Sequence, residues 1–470
     1  MSDDDTYTGS DRVTGIPRRA FLKTSGVGAL ALTAGCLGDG DDSGDDGSGD
    51  GSGDDGSGDG SGDDDSMDDS SDDGGTTEPD IDGPITIGAL LPLPGQFPGG
   101  TAQQQATELR VKQANENGGL LGEEVNLVVK DSGLDPSTAL DRYREFQLEE
   151  EVDATFGLFG SEPGLRVAEA VSDFENILVL GGVSTTDVEG LINDDYESYK
   201  YVFRAMNNGT DFGNNLARVA QEKWADWGFD RIGVAVEDIT GWRSEIQPIA
   251  VEGIPDDIEV AFTEVFSSDT TDFSPILDRG ESEDIDFLYT FTAHGGSAIN
   301  VQWARRQPDF AAGGADVFSS MPTHWENTDG LIEHVWTYVP GSGPGFEWND
   351  QTHFFIDSHT EEYGGPPPHS QAYTQYDAVD SWMRAVEAAG TLDEDTVVEF
   401  MEQELEFEAT TGYIDYAERD DEFPHRPKFG EDGVMSPVIQ WQEVEGEGQQ
   451  VGLWPDRVDK GDYIVPPWIE

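Results

Sequence analysis

The sequence predicts an α/β protein of two lobes, each a parallel-rich sheet flanked by helices, with a cleft at the hinge between them. Three observations carry that expectation. Short β-rich runs of four to seven residues alternate with helical stretches of ten to eighteen, the rhythm of βαβ units. The rhythm stops near residue 200 and resumes near 210, so a second layered unit follows the first. Helical stretches late in the chain leave room for a return to the first unit.

The first unit opens with Ile85-Thr86-Ile87-Gly88-Ala89-Leu90-Leu91, a β-rich run. A helical pattern follows from about Gly100 to Asn117, closed by Gly118-Gly119. Strands are expected at 124–130, 154–157 and 177–180, with helices at 136–149 and 165–174 between them. In the second unit, strands are expected at 231–236, 259–266 and 286–291. Helices are expected there at 210–227, 273–280 and 297–306, with one at 242–251 broken or ended at Pro248. Two more helices fall at 370–389 and 394–406. The end, with Trp441, Trp454, Pro455 and Pro466-Pro467, reads as short strands and extended chain, and no internal repeat is evident. The expected division is 1–35 leader, 36–80 tether, 81–205 first lobe, 206–340 main part of the second, 341–440 return segments shared between lobes, and 441–470 a C-terminal extended segment.

Charge narrows the partners. The chain carries 98 acidic residues against 25 Lys plus Arg, a formal net charge of -73. Binding phosphates needs Lys and Arg to neutralise them, so a nucleic-acid partner is not expected. The tail does not hold most of this charge: residues 81–470 keep 76 acids and 21 bases, a net of -55. A folded body so charged repels itself in dilute buffer. Salt shortens the Debye length to roughly 3 Å at 1 M, which relieves that repulsion. The preferred reading is a protein working in concentrated salt, as in a halophilic archaeon.

The beginning of the chain reads as an address. Pro17-Arg18-Arg19-Ala20-Phe21-Leu22-Lys23 precedes an apolar run from Thr24 to Ala34, the two charged and apolar regions of an export signal. At eleven residues the run is short of the roughly twenty that span a bilayer. Arg18 and Arg19 with Phe21-Leu22-Lys23 resemble the twin-arginine signal, which exports folded proteins. Leu32-Thr33-Ala34-Gly35-Cys36 resembles a lipoprotein processing box, in which cleavage precedes the Cys and lipid joins its thiol. Cys36 is the single cysteine, so no intramolecular disulfide and no Cys-based zinc site exists. Residues 38–80 are almost entirely Asp, Gly and Ser, a composition that buries too little apolar surface to order itself and reads as a hydrated linker.

Catalytic constellations are weak. There is no Gly-x-Ser-x-Gly elbow, no Gly-x-x-x-x-Gly-Lys loop and no His-Glu-x-x-His. The seven histidines are scattered without ligand-like spacing. Neither an enzyme, a metal site nor a cofactor is expected.

Other motifs point to a binding protein. Ile85 to Gly88, then Leu91-Pro92-Leu93-Pro94-Gly95, then Ala114-Asn115-Glu116-Asn117-Gly118-Gly119 form an ordered opening. Asp131 to Ala139 gives Asp-x-x-x-x-Pro-x-x-Ala, and Tyr201-Val202-Phe203-Arg204 a Tyr-x-Phe-Arg strand. Tyr363-Gly364-Gly365-Pro366-Pro367, Tyr376-Asp377-Ala378-Val379, Arg426-Pro427-Lys428 and Trp441-Gln442 through Trp454-Pro455 follow in order. Across 85–455 the chain resembles the branched-chain amino acid, urea and amide class of ABC-transporter substrate-binding proteins. That resemblance implies a two-lobed type I periplasmic-binding-protein fold. It also implies capture of a small polar molecule by hinged closure, with an ABC permease and ATPase complex as partner. With the leader, the expectation is a monomeric lipoprotein on the outer face of the cell membrane. A sensor of the same fold, coupled to a receptor, is the rival.

The resemblance also implies a site. Gly157-Leu158-Phe159-Gly160-Ser161 stands at the loop whose Ser touches the ligand, which makes Ser161 a candidate; a helix N-cap is its other reading. In Gly181-Gly182-Val183-Ser184-Thr185 the family fixes the ligand's polar head through backbone groups and a hydroxyl. Gly182, Val183, Ser184 and Thr185 are therefore candidates, against ordinary turn chemistry. Asp238-Ile239-Thr240-Gly241-Trp242 departs from the family's Asp-x-x-Tyr-Gly. Thr240 holds the Tyr position, and Trp242 is either a shifted aromatic lid or a core residue. His294 lies in the next lobe-two turn. Thr323 and Trp325 lie where amino-acid binders place an acid for the ligand's ammonium, and Glu326 is out of register for it, which leaves amides, urea-like ligands and apolar carboxylates open.

Overall fold

The computed structural model describes residues 83–93, 97–293, 295–346, 348–458 and 460–469, within the folded unit Thr76–Glu470. The leader with Arg18 and Arg19, the Cys36 box, the acidic linker and His294 lie outside the described residues.

Strands β1 (Ile85–Leu91), β2 (Val125–Asp131), β3 (Ala154–Gly157), β4 (Ile177–Leu180) and β5 (Val202–Arg204) form one sheet. Its order is β2-β1-β3-β4-β5 and every pairing is parallel. In β3 and β4 every residue is buried, the pattern of strands covered on both faces. Strands β6 (Arg231–Glu237), β7 (Glu259–Phe266), β8 (Phe287–Thr292), β9 (Ala311–Asp316) and β10 (Trp336–Tyr338) build a second parallel sheet. After the hairpin β11 (Glu406–Ala409) and β12 (Gly412–Asp415), strands β13 (Val438–Val444) and β14 (Glu447–Trp454) join that second sheet. Its order is β14-β13-β10-β9-β8-β6-β7, with β13 and β14 antiparallel at its edge. This is the two-lobed α/β architecture the alternating pattern predicts.

Helices cover the sheets through apolar stripes. In Gly209–Trp227, Phe212, Leu216, Val219, Ala220 and Trp224 recur every three or four residues and are buried. Asn208 caps it by accepting from the Asp211 amide at 2.9 Å, and Gly228 ends it at φ 80°. The helix Gln371–Ala389 is buried almost all round, because it lies between the first sheet and the helix Pro98–Glu116.

Several elements differ from the sequence reading. The helix expected at 165–174 is Ser161–Val171, since Gly160 at φ 88° turns the chain into it four residues sooner. The helix expected at 394–406 ends at Gln403. Beyond it, burial of Phe407 and Ala409 but not of Glu406 and Glu408 has the period of two that makes β11. Pro248 does not end the helical run: a π turn, Trp242–Ile246, passes directly into the helix Gln247–Glu252, with Pro248 in that helix's first turn. Strand β9 is Ala-Ala-Gly-Gly-Ala-Asp, without a β-branched residue, and only tertiary packing makes it a strand. A side chain at Gly313 would meet the Trp336 carbonyl at 2.5 Å. The end expected as short strands and extended chain holds two strands of seven and eight residues joined as a hairpin, the first of them beginning at Val438.

The apolar core is divided by lobe, and the division locates the crossovers. Ala205 belongs to the first-lobe core and Met206 to the second; Trp348 belongs to the second, whereas Phe355 packs on first-lobe helices; Val434 belongs to the first and Met435 to the second. The chain thus crosses three times, near 205–206, between 348 and 355, and at 434–435. The first and third crossovers lie side by side: Asn207 Nδ2 donates to the Val434 carbonyl at 3.2 Å, and Asn215 Nδ2 to that of Ser436.

Candidate functional site

Parallel α/β sheets bind ligands beyond the carboxyl ends of their strands. Here the ends of β3 and β4 in the first lobe face the end of β6 in the second. A side chain at Gly241 would come within 3.8 Å of the Ser161 hydroxyl. Ser161 is the first residue of its helix and Gly160 holds the cap position, so the hydroxyl is not used as an N-cap.

The loop after β4 is the best-organised part of the site. Gly181 and Gly182 are buried, and a side chain on either would strike Gln375 Oε1 or Gln371 Oε1 at 2.5 Å. Val183 is buried against Gly164, and Ser184 accepts the Gly209 amide at the first crossover at 2.6 Å. Arg204, at the end of β5, lies beneath the loop. Its guanidinium donates to the carbonyls of Val183 at 2.5 Å and Thr185 at 2.8 Å, and pairs with Glu189 at 2.8 Å. Both side chains are buried, and burial pushes the Glu189 carboxyl up to about 7. Because a trans peptide sets each N–H opposite the preceding carbonyl, the Ser184 and Thr186 amides turn away from Arg204.

Across the cleft, Glu245 reaches this loop from the second lobe's π turn. Its Oε1 lies 3.0 Å from Thr185 Oγ1 and 3.3 Å from both the amide and the hydroxyl of Thr186. Its Oε2 is buried against Gly209 without a protein partner among the described residues. Burial raises its pKa above the usual carboxylate range. The structure is therefore closed at this point, with a carboxylate of one lobe on the donors of the other.

Aromatic and amide side chains continue the site. Phe97 stacks on Phe159 at 3.9 Å and meets the His369 ring edge-on at 5.1 Å; although it belongs to the first lobe, it packs into the second-lobe core. Phe159 lies over Gly182. Gln103 and Gln371 are buried, and the Oε1 of each has no protein partner among the described residues. His369 is buried too, and burial lowers its pKa to about 3, so the ring is neutral.

The second-lobe candidates divide. Trp242 is 6 % exposed and packs in the core against Phe291 and Tyr338, with its indole N–H unpartnered. Thr240 is exposed, its carbonyl accepting from Ser244 Oγ at 2.6 Å. Trp325 lies against Gly448 near the start of β14; β14 is antiparallel to β13, which is antiparallel to β10, so β14 runs with the parallel strands and its start is the end remote from the cleft. Thr323 is exposed beside it. The structure thus gathers Ser161 and residues 182–185 with Gly241 and Glu245, and leaves Thr323 and Trp325 apart. Sequence reasoning missed Phe97, Gln371 and Glu245. The signal for Phe97 was an aromatic residue just before a Pro-Gly-Gly helix start; Glu245 had none, being one of 98 acids.

Comparison with known proteins agrees with the fold. A family profile described as periplasmic binding protein matches residues 84–429. The chain is 31 % identical over 142 residues to the chemotactic signal transduction system substrate-binding protein BasB of Halobacterium salinarum; the match spans 30 % of this chain and 34 % of that protein, about a third of the relative's length. A putative branched-chain amino acid ABC transporter structure from Silicibacter pomeroyi shares a TM-score of 0.70 at 16 % identity, covering 82 % of this chain and 100 % of that one. The isoleucine complex of the branched-chain amino acid transporter substrate-binding protein LivJ from Streptococcus pneumoniae gives 0.65 at 17 %, covering 78 % and 99 %. At these identities the likeness is one of fold.

Proposed function

Since the chain belongs to the periplasmic binding protein family, we propose that it is the extracytoplasmic solute-binding component of an ABC importer, capturing a small polar ligand by hinged lobe closure. The observation that carries this reading is the paired apposition of Ser161 with Gly241 and of Thr185 and Thr186 with Glu245, across lobes joined by three crossovers. A ligand meets the first lobe through Ser161 and the loop 182–185, whose amides Arg204 turns outward. The second lobe then closes with its π turn and the loop after β8, where His294 lies. Capture makes and breaks no bond. Branched-chain or other amino acids, urea and short amides are the ligand classes, and the closed form docks on a permease with its ATPase.

The protein works outside the cell membrane, held by a lipid on Cys36 and exported through the Arg18-Arg19 signal. Two variants test this separately: Cys36→Ser releases the protein into the medium, and Arg18→Lys with Arg19→Lys retains the precursor inside. An anchored C36S protein overturns the lipid reading.

A second reading has a specific observation behind it, the likeness to a chemotactic substrate-binding protein. In that case the closed form signals to a receptor. Deleting the chain abolishes uptake of the captured solute under the import reading, and abolishes taxis toward it with uptake intact under the sensor reading.

Capture itself is tested by native mass spectrometry of residues 81–470 purified in molar salt from their own host. A stoichiometric small-molecule adduct, lost on unfolding, is expected. An apo mass, together with no thermal shift across amino acids, urea and short amides, rejects this ligand class.

A further inference from the structure

We infer that Glu245 sets the charge of the ligand head this site accepts, favouring neutral or cationic groups that donate N–H bonds, such as amides, ureas and amines, and excluding carboxylates. The inference rests on the capture reading above and sharpens it.

The donors that fix a ligand's polar head are the hydroxyls and outward-turned amides of the loop after β4. On closure a carboxylate of the protein's own arrives at those donors: Glu245 Oε1, within 3.0–3.3 Å of Thr185 Oγ1, Thr186 N and Thr186 Oγ1. A second carboxylate stands beside it, Asp187 Oδ2 at 3.2 Å from the same Thr185 hydroxyl. A carboxylate ligand would have to displace Glu245 and lie between two like charges.

Among the described residues the cation that acts on Glu245 is Arg204, which does so from behind the loop and is committed to Glu189 and two carbonyls. Arg243, within the π turn, is exposed and pairs with Asp238 at 2.8 Å. His369 is buried among aromatic rings.

The unpartnered atoms are of both kinds. Gln103 Oε1, Gln371 Oε1 and Glu245 Oε2 are acceptors without a protein partner among the described residues, and Trp242 Nε1 and His369 Nε2, whose Nδ1 accepts the Gln371 amide, are donors without one. Acceptors and donors together call for a head that carries both, which an amide or urea supplies and a carboxylate, an acceptor only, does not.

The experiment compares matched pairs differing only in the head: benzamide with benzoate, isobutyramide with isobutyrate, and isoleucinamide with isoleucine. Affinities are measured by calorimetry in 2 M KCl for the protein and for Glu245→Gln, which keeps the shape and an acceptor oxygen but removes the charge. The unsubstituted protein is expected to prefer the amide member at least tenfold, and E245Q to reduce that preference at least fivefold by gaining carboxylate affinity. Equal affinity within pairs, or a preference that E245Q leaves unchanged, overturns the assignment while leaving capture intact. Weakening of both members together marks Glu245 as a closure contact only and also overturns it. Silence of both proteins across all pairs overturns the assigned class, and the adduct experiment decides capture separately.

Discussion

Arg204 shows how much of the site depends on a residue that meets no ligand. It forms a buried pair with Glu189 and holds two carbonyls of the loop after β4. Removing one partner strands the other as an uncompensated buried charge, at a cost of about 3–5 kcal/mol. Arg204→Met should lower unfolding stability by that amount in urea melts at high salt, and adding Glu189→Met should restore part of it. A loss below about 1 kcal/mol would show the pair to be dispensable. His369 gives a pH dependence whose sign is fixed. Its folded pKa is about 3, below the ordinary 6.5, so the unfolded chain binds more protons between those values. Stability is full above pH 6.5 and falls as pH drops toward 3, by about 2 kcal/mol at pH 5 from this group. In parallel melts, the His369→Gln protein should lack that portion of the acid loss; identical pH profiles would rule it out. The sequence motif Tyr-x-Phe-Arg contained Arg204 without revealing its work, because nothing local says which loop its guanidinium will meet. Ser161 entered as a candidate through the resemblance, but its position inside a helix did not, since the expected helix began at 165 and Gly160 turns the chain into it at 161.

Among the elements, strands with β-branched runs were read to within a residue, as β1, β3, β4 and β7 show. Strand β9 was invisible because Ala and Gly carry no such signal, and β10 is only three residues long. The C-terminal hairpin was half legible: its tryptophans marked it, but its place at the sheet edge did not follow from them. That hairpin also settles where Trp325 packs. A side chain at Gly448 would overlap the Trp325 ring. Gly448→Val should therefore expel the indole, destabilise the fold by about 1–3 kcal/mol and shift tryptophan emission to the red. An unshifted spectrum with full stability would mean the ring is not held there. The cap of Gly209–Trp227 is a milder case, in which Asn208→Ala should cost about 1 kcal/mol by thermal melts.

For the whole molecule, the charge and the crossovers govern behaviour together. A net of -55 over 81–470 opposes compaction until salt screens it. The melting temperature of that body should rise steadily between 0.1 M and 2 M KCl, whereas a flat profile would remove the case for adaptation to concentrated salt. By itself the sequence determined the layering, the two lobes, the closing positions of most strands and the loop after β4, because periodicity and glycine placement are local and survive in one dimension. The tertiary structure alone decided that the C-terminal strands complete the second sheet, that Phe97 crosses into the other lobe's core, and that Glu245, among 98 acids, stands on the loop after β4. Those facts depend on three passages of the chain between lobes, and contacts made across such passages join residues whose separation in sequence carries no trace of their meeting.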